Sequence, residues 1–508
     1  MNKFYNFTIF NYIIIYFSGA IATFSLPPFS ILPLFLGIGF GIYLINFSTS
    51  LLKTFIAGWF LGLGWFSFGL FWIGSAFIVA DTYHSYLMPI AIILLPSLLA
   101  FFWGGAFICA KILSQKKKFS IIYIIVFLSL FEYIRATIFT GFPWLMPSMI
   151  LSSNLYLIQI FSFIGSFSTN SVVLTITILP FILFSSLKGK HFLLFILTTP
   201  IIVIFFCSIF RFYDKAYLSI NNQLITFIQP NIEQRNKWNL EKRNQNLNKL
   251  VKLSTQNRED FPDINRIIIW PETSFEGSVP NEKKLLSNIS KKVLKNQKTT
   301  LILGLLRTDL NKIFNSLVFL NSYGEIIYDY DKLKLVPFGE YIPFRGYLSS
   351  ISDFLPKKDF SSGKLKPNPS LEGFGNIITL ICYEILFTDE IVKRISKNTN
   401  LLINITNDAW FGKTIGPYQH LALARIKAVE LGLPLARVAN TGISAYVSPY
   451  GEIIGTIPLD NEGVKTFNLI SPLKDTLYKT YGDYIFIVSI LILLIINILY
   501  NFNYVKEE

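Results

Sequence analysis

Hydrophobic and polar positions divide the chain into two regimes. Through residue 210, apolar stretches near 9–26, 29–52, 54–80, 86–110, 119–139, 155–187 and 192–210 follow one another with short polar breaks. Each approaches or exceeds the roughly 20 residues a helix needs to cross a bilayer's hydrocarbon core. From 211 to 480 short β-branched runs alternate with amphipathic segments, and an eighth apolar stretch follows near 484–500. The runs Leu224–Ile228, Arg266–Trp270, Thr300–Leu305, Leu317–Leu320, Glu325–Tyr328, Ile377–Ile381, Leu401–Ile405 and Ala445–Val447 predict strands. Asn321-Ser322-Tyr323-Gly324 and Ser448-Pro449-Tyr450-Gly451 predict hairpin turns. Helices are predicted near 281–296, 386–397 and 418–436.

This pattern predicts a seven-span transmembrane domain over 1–210, a layered α/β domain over 211–480, and a C-terminal transmembrane helix with a short tail over 481–508. The first apolar stretch lacks a small-residue cleavage site and runs directly into Pro27 and Pro28, so it is expected to be a retained helix. Lys3, Lys53, Lys111, Lys116–Lys118, Lys188 and Lys190 fall on one side if the spans alternate, while the loops near 27–28, 81–85 and 140–154 contain no Lys or Arg. Cytoplasmic loops are enriched in these residues. The N-terminus and Lys506 are therefore expected in the cytoplasm and the α/β domain outside it. Within the fifth stretch, Glu132 and Arg135 are three apart and so share a helix face. Phe142 and Trp144 in the loop that follows are expected at the outer interface.

Composition agrees with a membrane protein: 52% of residues are apolar and 15% charged, against roughly 25% charged in soluble domains. The net charge of +14 suits anionic lipid headgroups. No zinc-finger, RRM or helix-turn-helix pattern accompanies it, so nucleic acid is excluded as a partner. His84, His191 and His420 are too dispersed for a metal site, and no cofactor is called for. Of the three cysteines, Cys109 and Cys207 lie in apolar stretches and only Cys382 lies in the polar region, without an evident disulfide partner.

Three segments of that region end an apolar strand in a reactive residue: Ile267-Ile268-Ile269-Trp270-Pro271-Glu272, Tyr330-Asp331-Lys332, and Leu380-Ile381-Cys382. A thiol must lose its proton to attack an ester carbonyl, and it needs a base and nearby positive charge to do so. Glu272 can take the proton, and Lys332 can hold the oxyanion that develops. The aromatics Trp238, Trp410 and Phe411 fit either core packing or an apolar edge that admits acyl chains.

Trp270-Pro271-Glu272, then Tyr330-Asp331-Lys332 with Pro337-Phe338-Gly339-Glu340 downstream, then Cys382-Tyr383-Glu384, all behind a multi-span N-terminal half, resemble the apolipoprotein N-acyltransferase family, a membrane-bound branch of the nitrilase superfamily. The resemblance covers nearly the whole chain. It implies a polytopic α-helical membrane protein of about eight spans with an inserted nitrilase-like α-β-β-α sandwich. It also implies Glu272 as general base, Lys332 as catalytic lysine and Cys382 as nucleophile; Lys334 lacks the family's spacing to Glu340. Glu340 resembles the second acidic residue that positions the lysine, and Tyr383 and Glu384 resemble the pair flanking the nucleophile. Gln229-Pro230-Asn231 through Trp238 resembles the family's early loop. Phe314-Asn315-Ser316 resembles its Tyr-Asn-Ser element, placing Asn315 in the site but without a hydroxyl at 314. Asn407-Asp408-Ala409-Trp410-Phe411-Gly412, Arg437 with Asn440-Thr441-Gly442, and Glu132 to Trp144 match as well.

The activity so implied moves a fatty-acyl chain from a phospholipid, through a cysteine thioester, to the N-terminal amine of a diacylglyceryl-cysteine lipoprotein, completing lipoprotein maturation. The enzyme would sit in the bacterial inner membrane with its catalytic domain on the periplasmic side. A membrane-tethered nitrilase-type amidase would use the same three residues with water as acceptor. A lipid-binding scaffold would need none of them.

Overall fold

The computed structural model describes residues 7–79, 85–114, 120–185, 187, 189–213, 219–237, 239, 241–256, 263–279, 282–310, 312–343, 345 and 358–504. Contacts divide the chain into two compact units: Met1–Gly74, Leu87–Lys215 and Asp475–Glu508 form one, and Ser75–Tyr86 with Ala216–Lys474 the other.

By length and composition, five helices among the described residues can cross a membrane: Leu51–Val79, Ser85–Leu113, Leu157–Leu183, Lys190–Tyr213 and Tyr484–Phe502. The other three positions expected to span hold shorter helices, Ile9–Ser25, Leu32–Ile45 and Ile121–Thr137. The α-helical part of the first, Ile9–Ala22, has 14 residues. At 1.5 Å per residue it rises about 21 Å, less than the ~30 Å hydrocarbon thickness. Glu132 and Arg135 do share a face: Arg135 Nη2 lies 2.6 Å from Glu132 Oε2, and both side chains are buried. Trp103 Nε1 donates to Glu132 Oε1 at 2.8 Å and Arg135 Nη1 to the Phe142 carbonyl at 2.5 Å. The pair thus closes on itself and anchors the following loop, which is how two intramembrane charges are tolerated. Trp144, expected at the interface, is instead buried, its ring 5.0 Å from that of Trp72. Gly165 bends its helix with φ of 69°, and a Cβ there would stand 2.0 Å from the Tyr478 ring, so no other residue fits.

The second unit is built on two sheets. One contains β1 (Ile220–Gln229), β2 (Arg266–Ile269), β3 (Phe275–Val279), β4 (Thr299–Asp309), β5 (Lys312–Leu320) and β6 (Ile326–Asp331). The other contains β7 (Ser370–Leu371), β8 (Gly375–Ile381), β9 (Thr399–Thr406), β10 (Leu435–Ala439), β11 (Ser444–Val447) and β12 (Ile453–Ile457), after which β13 (Gly463–Ile470) returns to pair with β1. Their orders are β13-β1-β2-β4-β5-β6, with β3 on β4, and β12-β11-β10-β9-β8-β7.

Strand alternation sorts side chains to opposite faces. Ile267 and Ile269 join Ile225, Phe227, Ile302, Leu317 and Phe319 against Ile381, Ile403, Ile405 and Val438 of the second sheet. Ile268 and Trp270 face the other way, onto Leu250 and Leu253 of the helix Arg243–Thr255 and Leu286 and Ile289 of the helix Lys283–Val293. The outer face of the second sheet is covered by the helix Gly416–Leu431, which packs on β10 and β11 and is buried nearly all round. The layers are therefore α-β-β-α. The helix expected over 418–436 stops at Gly432, whose left-handed φ of 63° caps it, and Leu435 and Ala436 belong to β10. Near 386–397 only Thr388–Val392 is α-helical.

Candidate active site

Each of the three chemical residues follows the C-terminal end of a different strand. Glu272 lies three residues beyond β2, Lys332 directly after β6 and Cys382 directly after β8, where the chain turns into a short 3-10 helix, Cys382–Leu386. Cys382 has φ of +52°, a left-handed conformation unusual for a residue with a Cβ. Such strain, of order ~1 kcal/mol or more, persists only where surrounding contacts hold it.

Lys332 is buried between two carboxylates. Its Nζ lies 3.0 Å and 2.9 Å from the two oxygens of Glu340 and 3.8 Å from Glu272 Oε1. The Asn315 amide bridges the same pair, its Nδ2 donating to Glu272 Oε1 at 2.7 Å and to Glu340 Oε1 at 2.9 Å. The Lys332 amide donates to the Asn315 carbonyl at 2.8 Å, and Lys237 Nζ holds the Glu272 carbonyl at 3.0 Å. Asp331, the neighbour of Lys332, is anchored by Arg307 Nη2 at 2.6 Å and Ser316 Oγ at 2.6 Å. Phe314, where the motif expects Tyr, lies under the Arg307 guanidinium at 4.6 Å.

Burial alone would depress the Lys332 ammonium, but the Glu340 and Glu272 carboxylates hold it above its ordinary range. It is therefore a fixed positive charge rather than a proton acceptor. Burial and the negative charge of Glu272 push the Cys382 thiol up to about 12, with Lys332 pulling the other way. At neutral pH the sulfur is protonated and must lose its proton as it attacks, which calls for a base in the site.

Glu384 joins the two loops. Its Oε1 accepts from the Tyr330 hydroxyl at 2.9 Å and from the Leu333 and Lys334 amides at 2.6 Å and 3.2 Å; its Oε2 accepts from the Ile381 amide at 2.7 Å. Burial raises this carboxyl's pKa, while the Ile381 and Leu333 amides oppose that rise. Tyr383 is buried with its ring 5.0 Å from that of Phe387. The structure thus brings Glu272, Lys332, Glu340, Asn315 and Cys382 together and places Glu384 as the tie between their loops. Trp238 lies outside the described residues. Trp410 is 40% exposed and Phe411 packs 5.8 Å from the His420 ring.

Sequence reasoning names Asp408 and Arg437 within family-like motifs but not the buried cluster they form with Asn404 and His420 close to Cys382. Asn404 Nδ2 donates to the Cys382 carbonyl at 3.2 Å, and its Oδ1 accepts from Arg437 Nη1 at 2.5 Å. Arg437 Nη2 pairs with Asp408 Oδ2 at 2.7 Å, and His420 Nδ1 lies 2.9 Å from Asp408 Oδ1. Against burial, which raises it, Arg437 and His420 hold the Asp408 carboxyl well below its usual range. Replacing Arg437 with Met leaves that carboxylate buried without its cation, and removing one partner of a buried pair costs roughly 3–5 kcal/mol. Denaturant unfolding in detergent should show such a loss near neutral pH. A depressed carboxyl contributes stability above its unfolded pKa of roughly 3.9, and this contribution fades as pH falls. The gap between wild type and Arg437→Met should therefore narrow below about pH 4.

The family model described as carbon-nitrogen hydrolase matches residues 224–471, and that described as apolipoprotein N-acyltransferase N-terminal domain matches residues 18–179. The chain is 32% identical over 491 residues to the apolipoprotein N-acyltransferase of Rhodopseudomonas palustris, covering 92% of this chain and 90% of that one. It is 31% identical over 485 residues to the protein of the same name from Brucella suis, covering 90% and 89%. Among solved structures, Saccharomyces cerevisiae Nit3, a member of branch 10 of the nitrilase superfamily, aligns with 53% of this chain and 95% of its own at 18% identity and a TM-score of 0.38. An amidase from Nesterenkonia sp. aligns with 54% and 98% at 18% identity and a TM-score of 0.37.

Proposed function

Because this chain belongs to the apolipoprotein N-acyltransferase family, we propose that it transfers a fatty-acyl chain from a phospholipid, through a Cys382 thioester, to the N-terminal amine of a diacylglyceryl-cysteine lipoprotein. The observation that carries this reading is the convergence of Glu272, Lys332 and Cys382 from three strand ends, with Lys332 held as a buried cation between Glu272 and Glu340.

In the first half-reaction Glu272 takes the thiol proton as Cys382 Sγ attacks the ester carbonyl, and the Lys332 ammonium stabilises the resulting oxyanion. Collapse expels the lysophospholipid alkoxide, which recovers the proton from Glu272. In the second, the acceptor amine attacks the thioester and gives a proton to Glu272. The thiolate leaves, recovers that proton, and the product is an amide. Asn315 and Glu340 touch Lys332 and Glu272 and set their positions, and Glu384 keeps the two loops in register. Intact-mass analysis after incubation with phospholipid tests the thioester directly, and an unmodified Cys382 under turnover conditions would sink it.

Both substrates would be membrane-bound, which gives a reason for the catalytic domain over 211–480 to be flanked by membrane helices: confinement to one surface raises effective concentration. That domain would face the periplasm from the inner membrane. Alkaline-phosphatase fusions check this. Activity should be high after residue 215 and low after residue 117, and the reverse pattern would invert the topology.

A further inference from the structure

Thr406 ends β9, the strand beside β8. The parallel register pairs Leu380 with Asn404 and Ile381 with Ile405, so Cys382 and Thr406 are the next positions along the two strands. Thr406 is fully buried. Its Oγ1 donates to Asp408 Oδ1 at 2.9 Å, and with Cys382 at the neighbouring position it draws the thiol down against the rise that burial causes. Two residues earlier on β9, Asn404 holds the Cys382 carbonyl. One strand thus holds the backbone of the nucleophile and sets a buried hydroxyl at the position beside it.

A hydroxyl has one hydrogen and two lone pairs. While Cys382 is a thiol, Oγ1 gives its hydrogen to Asp408 and keeps lone pairs that can accept from the S–H. Once the sulfur is negative it has no hydrogen to give, and rotation about the Cβ–Oγ1 bond turns the Thr406 hydrogen onto Sγ. Asp408 tolerates the loss because Arg437 Nη2 remains at 2.7 Å.

We propose that Thr406 is a further catalytic residue, a rotating donor that stabilises the Cys382 thiolate as it attacks the donor ester and again as it leaves the intermediate formed with the acceptor amine. No bond to Thr406 is made or broken: its proton stays on oxygen, and the thiol proton goes to Glu272. The inference rests on Cys382 being the nucleophile.

The test is the rate at which iodoacetamide alkylates Cys382 in the full-length protein in detergent, with Cys109→Ala and Cys207→Ala in the background, read by mass between about pH 7 and pH 9. Thr406→Val keeps the shape and removes the hydroxyl; Thr406→Ser keeps the hydroxyl. Alkylation follows the thiolate fraction, and one pKa unit changes that fraction about tenfold in this range. Thr406→Val should be slowed about tenfold at each pH, and Thr406→Ser should stay within about threefold of the parent. Wild-type rates in Thr406→Val overturn the proposal, as does equal slowing of Thr406→Ser, which would assign the effect to the methyl group. Should Thr406→Val not fold, Thr406→Ala against Thr406→Ser makes the same comparison. Acyl transfer by fully alkylated protein would instead overturn Cys382 as nucleophile, so the two failures are distinguishable.

Discussion

Cys382→Ala should abolish both half-reactions, whereas wild-type protein given phospholipid alone should release about one equivalent of lysophospholipid per active site and stall with a hydroxylamine-sensitive acyl group on Cys382. The stall requires that the site exclude water while admitting an amine. A diacylglyceryl peptide with a free N-terminal amine should discharge it into an amide, and its N-acetylated counterpart should not. Initial rates should show ping-pong kinetics. Cys109→Ala and Cys207→Ala should behave nearly as wild type, because these thiols lie in the membrane helices Ser85–Leu113 and Lys190–Tyr213. Discharge by water as fast as by peptide would replace acyl transfer with the amidase reading, and turnover by Cys382→Ala would defeat both.

Glu272→Gln and Lys332→Ala should each suppress acyl-enzyme formation by up to about 10²–10⁴-fold, the range for positioned bases and oxyanion donors. Glu272→Gln is informative because an amide oxygen can still accept from Asn315 Nδ2, now at 2.7 Å from Glu272 Oε1. The fold should survive while the base is lost. Lys332→Ala removes the cation that separates Glu272 from Glu340 and so should also lower the thermal midpoint. Lys334→Ala should be milder: its Nζ lies 4.8 Å over the Phe387 ring, whereas Lys332 Nζ lies 2.9 Å from Glu340 Oε2. Single-turnover release of lysophospholipid measures all three variants. Loss of activity in Lys334→Ala with retention in Lys332→Ala would mean the lysine has been misassigned.

Glu272, Lys332 and Cys382 stand out as candidates because each ends or follows a β-branched run, a weak signal alone, and because their motif neighbours resemble those of one family. Sheet order was less so. Ile453–Ile457 and Gly463–Ile470 are partly exposed strands with weak alternation, and neither was read as a strand. At β10, the helix predicted over 418–436 runs past its true end into Leu433–Ala436, although Gly432 and Pro434 both signal that end. Of the cluster of Asn404, Asp408, His420 and Arg437, only Asp408 and Arg437 lie in family-like motifs, and nothing local joins them to Asn404 and His420. Its members come from β9, a following turn, a helix and β10, and only the parallel pairing of β9 with β10 brings them together. His420, weighed in sequence only as a metal ligand, instead hydrogen-bonds a carboxylate, Asp408. Trp144 was misplaced because a loop aromatic beside a predicted membrane span looks the same in sequence whether it faces the interface or the Trp72 ring.

Glu384 sits within the same short helix as Cys382, yet it accepts from the Leu333 and Lys334 amides of the lysine loop as well as from Ile381 beside the nucleophile. Neither loop can open alone without stranding a buried carboxylate, so local unfolding of one entails the other. Native-state hydrogen exchange should then find the Leu333, Lys334 and Ile381 amides opening as one cooperative event with a shared free energy. A lipid that orders one loop on binding would thereby slow exchange in the other, and Lys332 and Cys382 would respond to it as a single body.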